Sequence, residues 1–122
     1  MQQIIDCSSA YGNDGCEGGW YDASFSYVKD KGLTSYSAYP YTENTNGCKI
    51  NLAEYKISSY KGGYINGCSA LAGMLVINPV SIGIAAGTQY FKNYKSGIFN
   101  KCGNEIDHGV VLVGVYQNDQ TG

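Results

Sequence analysis

Apolar residues fall into short runs of differing period, and each period predicts a different element. Tyr21, Phe25 and Val28 recur at i, i+4 and i+7 within residues 20–32, the spacing of one helix face. Lys29 and Lys31 stand where the helix dipole is negative, and Gly32 suits the left-handed residue that closes a helix. A second helix is predicted over residues 69–77, with Ser69 as its cap, Leu71 and Leu75 on one face and Pro79 as its stop. Val80, Ile82 and Ile84 alternate with Ser81 and Gly83, the period of a strand. Residues 108–115 form a strongly apolar run that predicts a buried strand. Fainter patterns predict strand at 55–60 and at Ile98-Phe99, and a turn of helix over 91–94. Residues 7–19, dense in Ser, Gly, Asn and Asp, predict a loop, and residues 34–52 an irregular extended segment.

Helices and loops come first and strands mainly afterwards, so the fold class is α+β, in two unlike halves that part near residues 57–63. The length of 122 residues suffices for one ordinary core, and 43% apolar residues is the proportion of a globular protein. Eight scattered Lys and Arg residues and a net charge of -2 make no basic patch, so no nucleic-acid partner is expected. No apolar run reaches the roughly 18 residues that span a bilayer, so no membrane partner is expected.

Cysteine changes the picture more. Cys7, Cys16, Cys48, Cys68 and Cys102 include no C-x-x-C pair, and His108 is the single histidine, so no metal site and no cofactor are expected. Wide spacing on a glycine-rich chain (17 Gly) fits disulfides formed in an oxidising compartment. The odd count leaves at least one thiol free or paired outside this chain. Residues 1–7 lack the basic start and apolar core of a signal peptide, and a further N-terminal region would reconcile that with disulfides.

Four patterns occur in order: Gln2-Gln3-Ile4-Ile5-Asp6-Cys7-Ser8; Gly15-Cys16-Glu17-Gly18-Gly19-Trp20; Tyr39-Pro40-Tyr41 followed by Cys48; and Cys102-Gly103-Asn104-Glu105-Ile106-Asp107-His108-Gly109-Val110 running into Val113-Gly114. In type, order and spacing they resemble the papain-like cysteine peptidases of the cathepsin L kind, across nearly the whole chain. The resemblance implies a partial papain-like fold. Residues 1–58 would be part of the helical left domain and 59–122 an incomplete β-barrel right domain. In that family the histidine follows the nucleophilic cysteine by about 130–150 residues, which places the nucleophile about 20–40 residues before Met1. The oxyanion-hole glutamine is expected upstream as well, and the asparagine that orients the histidine beyond Gly122.

The same resemblance implies roles for individual residues. His108 is the catalytic imidazole, which partners a thiolate and later protonates the leaving amine. Asp107 either favours its imidazolium form or is a solvated turn acid. Gly18 and Gly19 match the loop whose backbone pairs with an extended substrate, where the lack of a side chain permits close approach. Trp20 and Tyr21 match one wall of the pocket for the second residue before the cut, and Gly83, Ile106 and Gly109 the opposite wall. The pocket would take an apolar side chain. Cys7 would pair with Cys48, Cys16 with a cysteine upstream and Cys102 with one downstream. Cys68 precedes a predicted helix that the resemblance sets away from the cleft, so it reads as a structural thiol or an extra disulfide rather than a substitute nucleophile.

The function implied is that of a cysteine endopeptidase acting on polypeptides. This chain by itself would be inactive, because the nucleophile lies outside it. A non-catalytic, protease-derived peptide-binding protein is the alternative, and a small disulfide-stapled domain without protease ancestry leaves the four ordered motifs unexplained. Propeptide and cystatin-like inhibitors are the further partners implied, and a lysosomal, vacuolar or secreted setting the compartment. Residues 108–115 would sit in an incomplete sheet with open apolar edges, so the isolated chain is expected to fold poorly and aggregate.

Overall fold

A computed structural model of the protein describes residues 1–49, 53–65 and 67–116. Its elements are α1 (Gln2–Cys7), α2 (Tyr21–Lys31), α3 (Cys68–Leu75), β1 (Val80–Ile84), α4 (Gln89–Lys92) and β2 (His108–Leu112), with 3₁₀ turns at Ser9–Tyr11 and Gly15–Glu17. This is the α+β class. The chain forms two compact units, Met1–Gly63 and Tyr64–Gly122, against an expected division between residues 58 and 59.

In the first unit α2 forms where the helical period predicts it. Asp22 in its first turn and Lys29 and Lys31 in its last complement the helix dipole. Its buried stripe runs through Ala23, Tyr27 and Val28. Phe25 lies to one side, stacked on Tyr60 at 5.5 Å between ring centroids. Gly32 has the expected positive φ of 75°, but its ψ of 179° is extended rather than left-handed helical.

No sequence signal announces α1, and the reason is its inverted polarity. Gln2, Gln3 and Asp6 are buried, while Ile4 and Ile5 are only half-buried. A buried polar group must be hydrogen-bonded, and here each one grips the irregular segment that follows α2. Gln2 donates to the Asn44 carbonyl (2.7 Å) and accepts from the Thr42 amide (3.0 Å). Gln3 donates to the Gly32 carbonyl (3.2 Å) and accepts from the Thr34 amide (2.9 Å). Asp6 accepts from the Asn46 amide (2.8 Å) and the Tyr39 hydroxyl (2.9 Å). Segment 34–49 thus stays irregular yet fastened, and the Cys7–Cys48 disulfide closes it onto the end of α1.

The strand expected over 55–60 does not form. Leu33 and Tyr55 make an isolated antiparallel bridge, and Tyr60 instead packs on α2, its hydroxyl 2.7 Å from Ser26 Oγ. Residues 50–52 and 117–122, for which extended chain and polar turns are expected, lie outside the described residues.

In the second unit β1 and β2 pair antiparallel, with Val80 opposite Leu112, Ile82 opposite Val110 and Ile84 opposite His108. β2 ends at Leu112 rather than Val115. α3 begins at Cys68 with Gly67 as its N-cap, so Ser69 lies inside the helix and is not the cap. Leu71 and Leu75 are both half-buried on the predicted face. α4 covers 89–92 rather than 91–94, because the Thr88 hydroxyl accepts from the Phe91 amide (3.2 Å) and starts the turn earlier. Ile98-Phe99 is not a strand: Ile98 is 85% exposed, and the Phe99 ring packs edge-on against Phe91 and Tyr94.

Candidate active site

The first unit presents Gly18, Gly19 and Trp20 on a loop that leads into α2. A closed set of hydrogen bonds holds this loop. The Asp14 amide donates to the Gly18 carbonyl (2.9 Å), and the Glu17 amide to the Asp14 carbonyl (2.8 Å). Asn13 lies beneath, with its Nδ2 donating to Ser8 Oγ (2.8 Å) and Ser24 Oγ (3.0 Å) and its Oδ1 accepting from the Trp20 amide (2.8 Å).

The two glycines answer two different demands. Gly18 has φ 125° and ψ -163°, a region open essentially to glycine alone. Gly19 lies so close to Asn13 that a Cβ there would stand 2.1 Å from Oδ1. Both glycines are exposed, and so is Trp20, at 77%. Tyr21, the first residue of α2, is half-buried. The loop therefore offers bare backbone flanked by a large exposed aromatic ring, a surface on which extended polypeptide can lie.

The second unit carries the other expected residues at the end of the β1–β2 ladder. His108 is the first residue of β2 and is exposed. Gly83 and Gly109 stand opposite each other in the register. Ile106 covers Gly83, its Cγ2 2.5 Å from where a glycine Cβ would be, so any side chain there would collide. Asp107 is exposed; its Oδ1 accepts from the Ala86 amide (2.7 Å), and its own amide donates to the Ile84 carbonyl (3.1 Å). The carboxylate thus stitches the chain entering β2 onto the chain leaving β1, which fixes the backbone next to His108.

Cys7 and Cys48 form the disulfide, with their Cα atoms 4.8 Å apart. Cys16, Cys68 and Cys102 are free and exposed. Cys68 is the first residue of α3. Among the described residues no three His, Cys, Asp or Glu side chains gather as metal ligands, and no helix is long and apolar enough to cross a membrane. Asn13 has little signal in the sequence, because its partners Ser8, Trp20 and Ser24 stand 5, 7 and 11 positions away in no periodic pattern. Its one local signal is its place in the polar run between Cys7 and Cys16.

Comparison with known proteins bears on both halves. The sequence profile of the papain family cysteine proteases matches residues 1–122. A protein named cathepsin L 1, from Paramecium tetraurelia, is 40% identical over 116 residues, covering 93% of this chain and 36% of the relative. A low-temperature-induced cysteine proteinase of Solanum lycopersicum is 42% identical over 118 residues, covering 93% and 34%. The chain thus spans about a third of the length of these curated relatives. Among solved structures, digestive procathepsin L 3 of Tenebrio molitor larval midgut superposes with a TM-score of 0.86 at 35% identity, over 97% of this chain and 40% of that one. A Carica candamarcensis cysteine protease in complex with E-64 superposes with a TM-score of 0.84 at 32% identity, over 92% and 54%.

Proposed function

The chain belongs to the papain family of cysteine proteases, and from that premise we propose that it supplies the histidine and much of the substrate-binding surface of a thiol endopeptidase. The observation that carries this reading is His108, exposed at the start of β2 and braced through Asp107 to the end of β1. A general acid–base must be reachable by substrate, and the exposed position of His108, beside backbone held through Asp107, meets that need.

In the proposed mechanism, His108 takes the proton of a cysteine thiol supplied by polypeptide outside residues 1–122. The thiolate attacks the carbonyl carbon of the scissile peptide bond. The imidazolium then gives its proton to the departing amine, leaving an acyl-enzyme thioester. His108 next deprotonates a water molecule, which attacks the thioester and releases the acid and the thiol. An asparagine, also outside this chain, orients the ring. By itself the chain is therefore inactive.

Gly18 and Gly19 pair with the substrate backbone. Trp20 and Tyr21 select an apolar residue two positions before the cut, and Gly83, Ile106 and Gly109 are substrate-contacting residues of the second unit. Residues 1–58 correspond to the helical domain and 59–122 to the barrel domain. Cys16 and Cys102 pair with cysteines outside the chain. A propeptide and cystatin-like inhibitors cover the same surface, and the enzyme works in a lysosomal, vacuolar or secreted setting.

The test uses the complete protein that carries this segment. It should hydrolyse a peptide with an apolar residue at that second position and be inactivated by E-64, as a family thiol is. His108→Ala should lower kcat/KM by about 10²–10⁴-fold. A complete protein that binds such peptides by calorimetry without turnover would instead establish a non-catalytic descendant.

A further inference from the structure

We propose that Asn13 is a positioning residue for substrate binding, holding Gly18, Gly19 and Trp20 in the geometry that receives an extended peptide. The inference rests on the reading of those glycines as the backbone-pairing loop. A primary carboxamide offers two N–H donors and one carbonyl oxygen. Asn13 commits both donors, to Ser8 Oγ and Ser24 Oγ, and uses its oxygen for the Trp20 amide.

The donor pattern selects asparagine over its isostere. Ser8 is fully buried and spends its own proton on the Ile4 carbonyl (2.5 Å), so its oxygen can only accept from Asn13. An aspartate at this position would set a carboxylate oxygen against that acceptor. The oxygen side is equally constrained, because Gly19 passes over Oδ1 with no room for a Cβ. Asn13 is buried, while the glycines above it are exposed. One side chain therefore links Ser8, at the end of α1, with Ser24 in α2 and with the outward-facing loop. It touches no substrate itself and acts through the backbone it holds.

A group that only orders the binding loop serves ground state and transition state alike, so its loss raises KM and spares kcat. In the complete protein, Asn13→Asp should raise KM for an extended peptide about tenfold, with kcat changed by less than about twofold. Gly19→Ala should be coupled to it: the added methyl collides with Oδ1, and Asn13→Ala removes the collision. The double variant should then bind at least about threefold better than the product of the two single losses. An unchanged KM in Asn13→Asp, a loss confined to kcat, or strictly additive effects with Gly19→Ala would each overturn the inference. If neither Asn13 variant retains the circular dichroism of the parent, the residue serves folding and the inference falls. A parent protein that cleaves no peptide removes the functional reading and this inference with it. An active parent with indifferent Asn13 variants removes this inference alone.

Discussion

Tyr39 shows at the scale of one residue how this chain uses polar groups as core. Its ring is buried, and its hydroxyl donates to Asp6 (2.9 Å) while accepting from the Lys49 amide (3.1 Å). Burial pushes its pKa above the ordinary 10.0, the Lys49 amide pulls it back, and Asp6 pushes it up again. A folded-state pKa above the unfolded one means that stability is fully present below pH 10.0 and drains as pH rises through the raised value. Tyr39→Phe should lose about 1–3 kcal/mol in urea titrations at neutral pH, because Asp6 forfeits a donor. The same variant should lose less stability than the parent on going to strongly alkaline solution. Equal alkaline loss in both would show that another group governs it. Little of this was legible beforehand. Tyr39 could be read as part of a motif, but its partners lie 33 and 10 residues away and no local pattern connects them. His108 could be singled out for the opposite reason, since the motif that marks it lies in the residues on either side, and its place at the start of β2 falls within the apolar run that predicts a strand.

Among the elements, legibility follows whether apolar side chains alone build the packing. α2 and β1 obey the helical and strand periods, and both formed where those periods put them. α1 hides because its buried side is amide and carboxylate. The expected strand over 55–60 fails because Tyr60 is spent on stacking with α2, which leaves Tyr55 a single bridge to Leu33 in place of a ladder. The end of α2 shows what a boundary requires. Gly32 at φ 75° and ψ 179° leaves the helix in a conformation that carries a penalty for any other residue. A Cβ there would also stand 2.5 Å from the Ala53 Cβ and 2.8 Å from the Tyr55 carbonyl oxygen. Gly32→Ala should therefore destabilise the first unit by about 1–3 kcal/mol, read from thermal or urea unfolding of α2. A neutral outcome would mean that the Leu33–Tyr55 bridge shifts freely to make room.

At the scale of the whole chain the two units are unequally built. Every described residue classed as buried lies within the first, whereas the second exposes Val111, Val113 and Val115. Amide exchange should register this, with α1 and α2 protected and the β1–β2 amides exchanging sooner. Slower exchange in the β1–β2 pair than in α2 would contradict the assignment. Opening the Cys7–Cys48 bond with reductant should cost the first unit about 3–4 kcal/mol, given its 41-residue span. Exposed apolar strand favours association, so the isolated chain should sediment as aggregates rather than monomer. The polar face of α1 has one more effect. Its glutamines and its aspartate clasp amides and carbonyls along 34–46, and every residue type except proline offers both. Apart from the Tyr39 hydroxyl, the clasp is therefore indifferent to spelling: an exposed position such as Ser37 can drift through evolution, or receive a label by design, without the fold registering the change, whereas Glu43, held at φ 62°, cannot take every side chain equally.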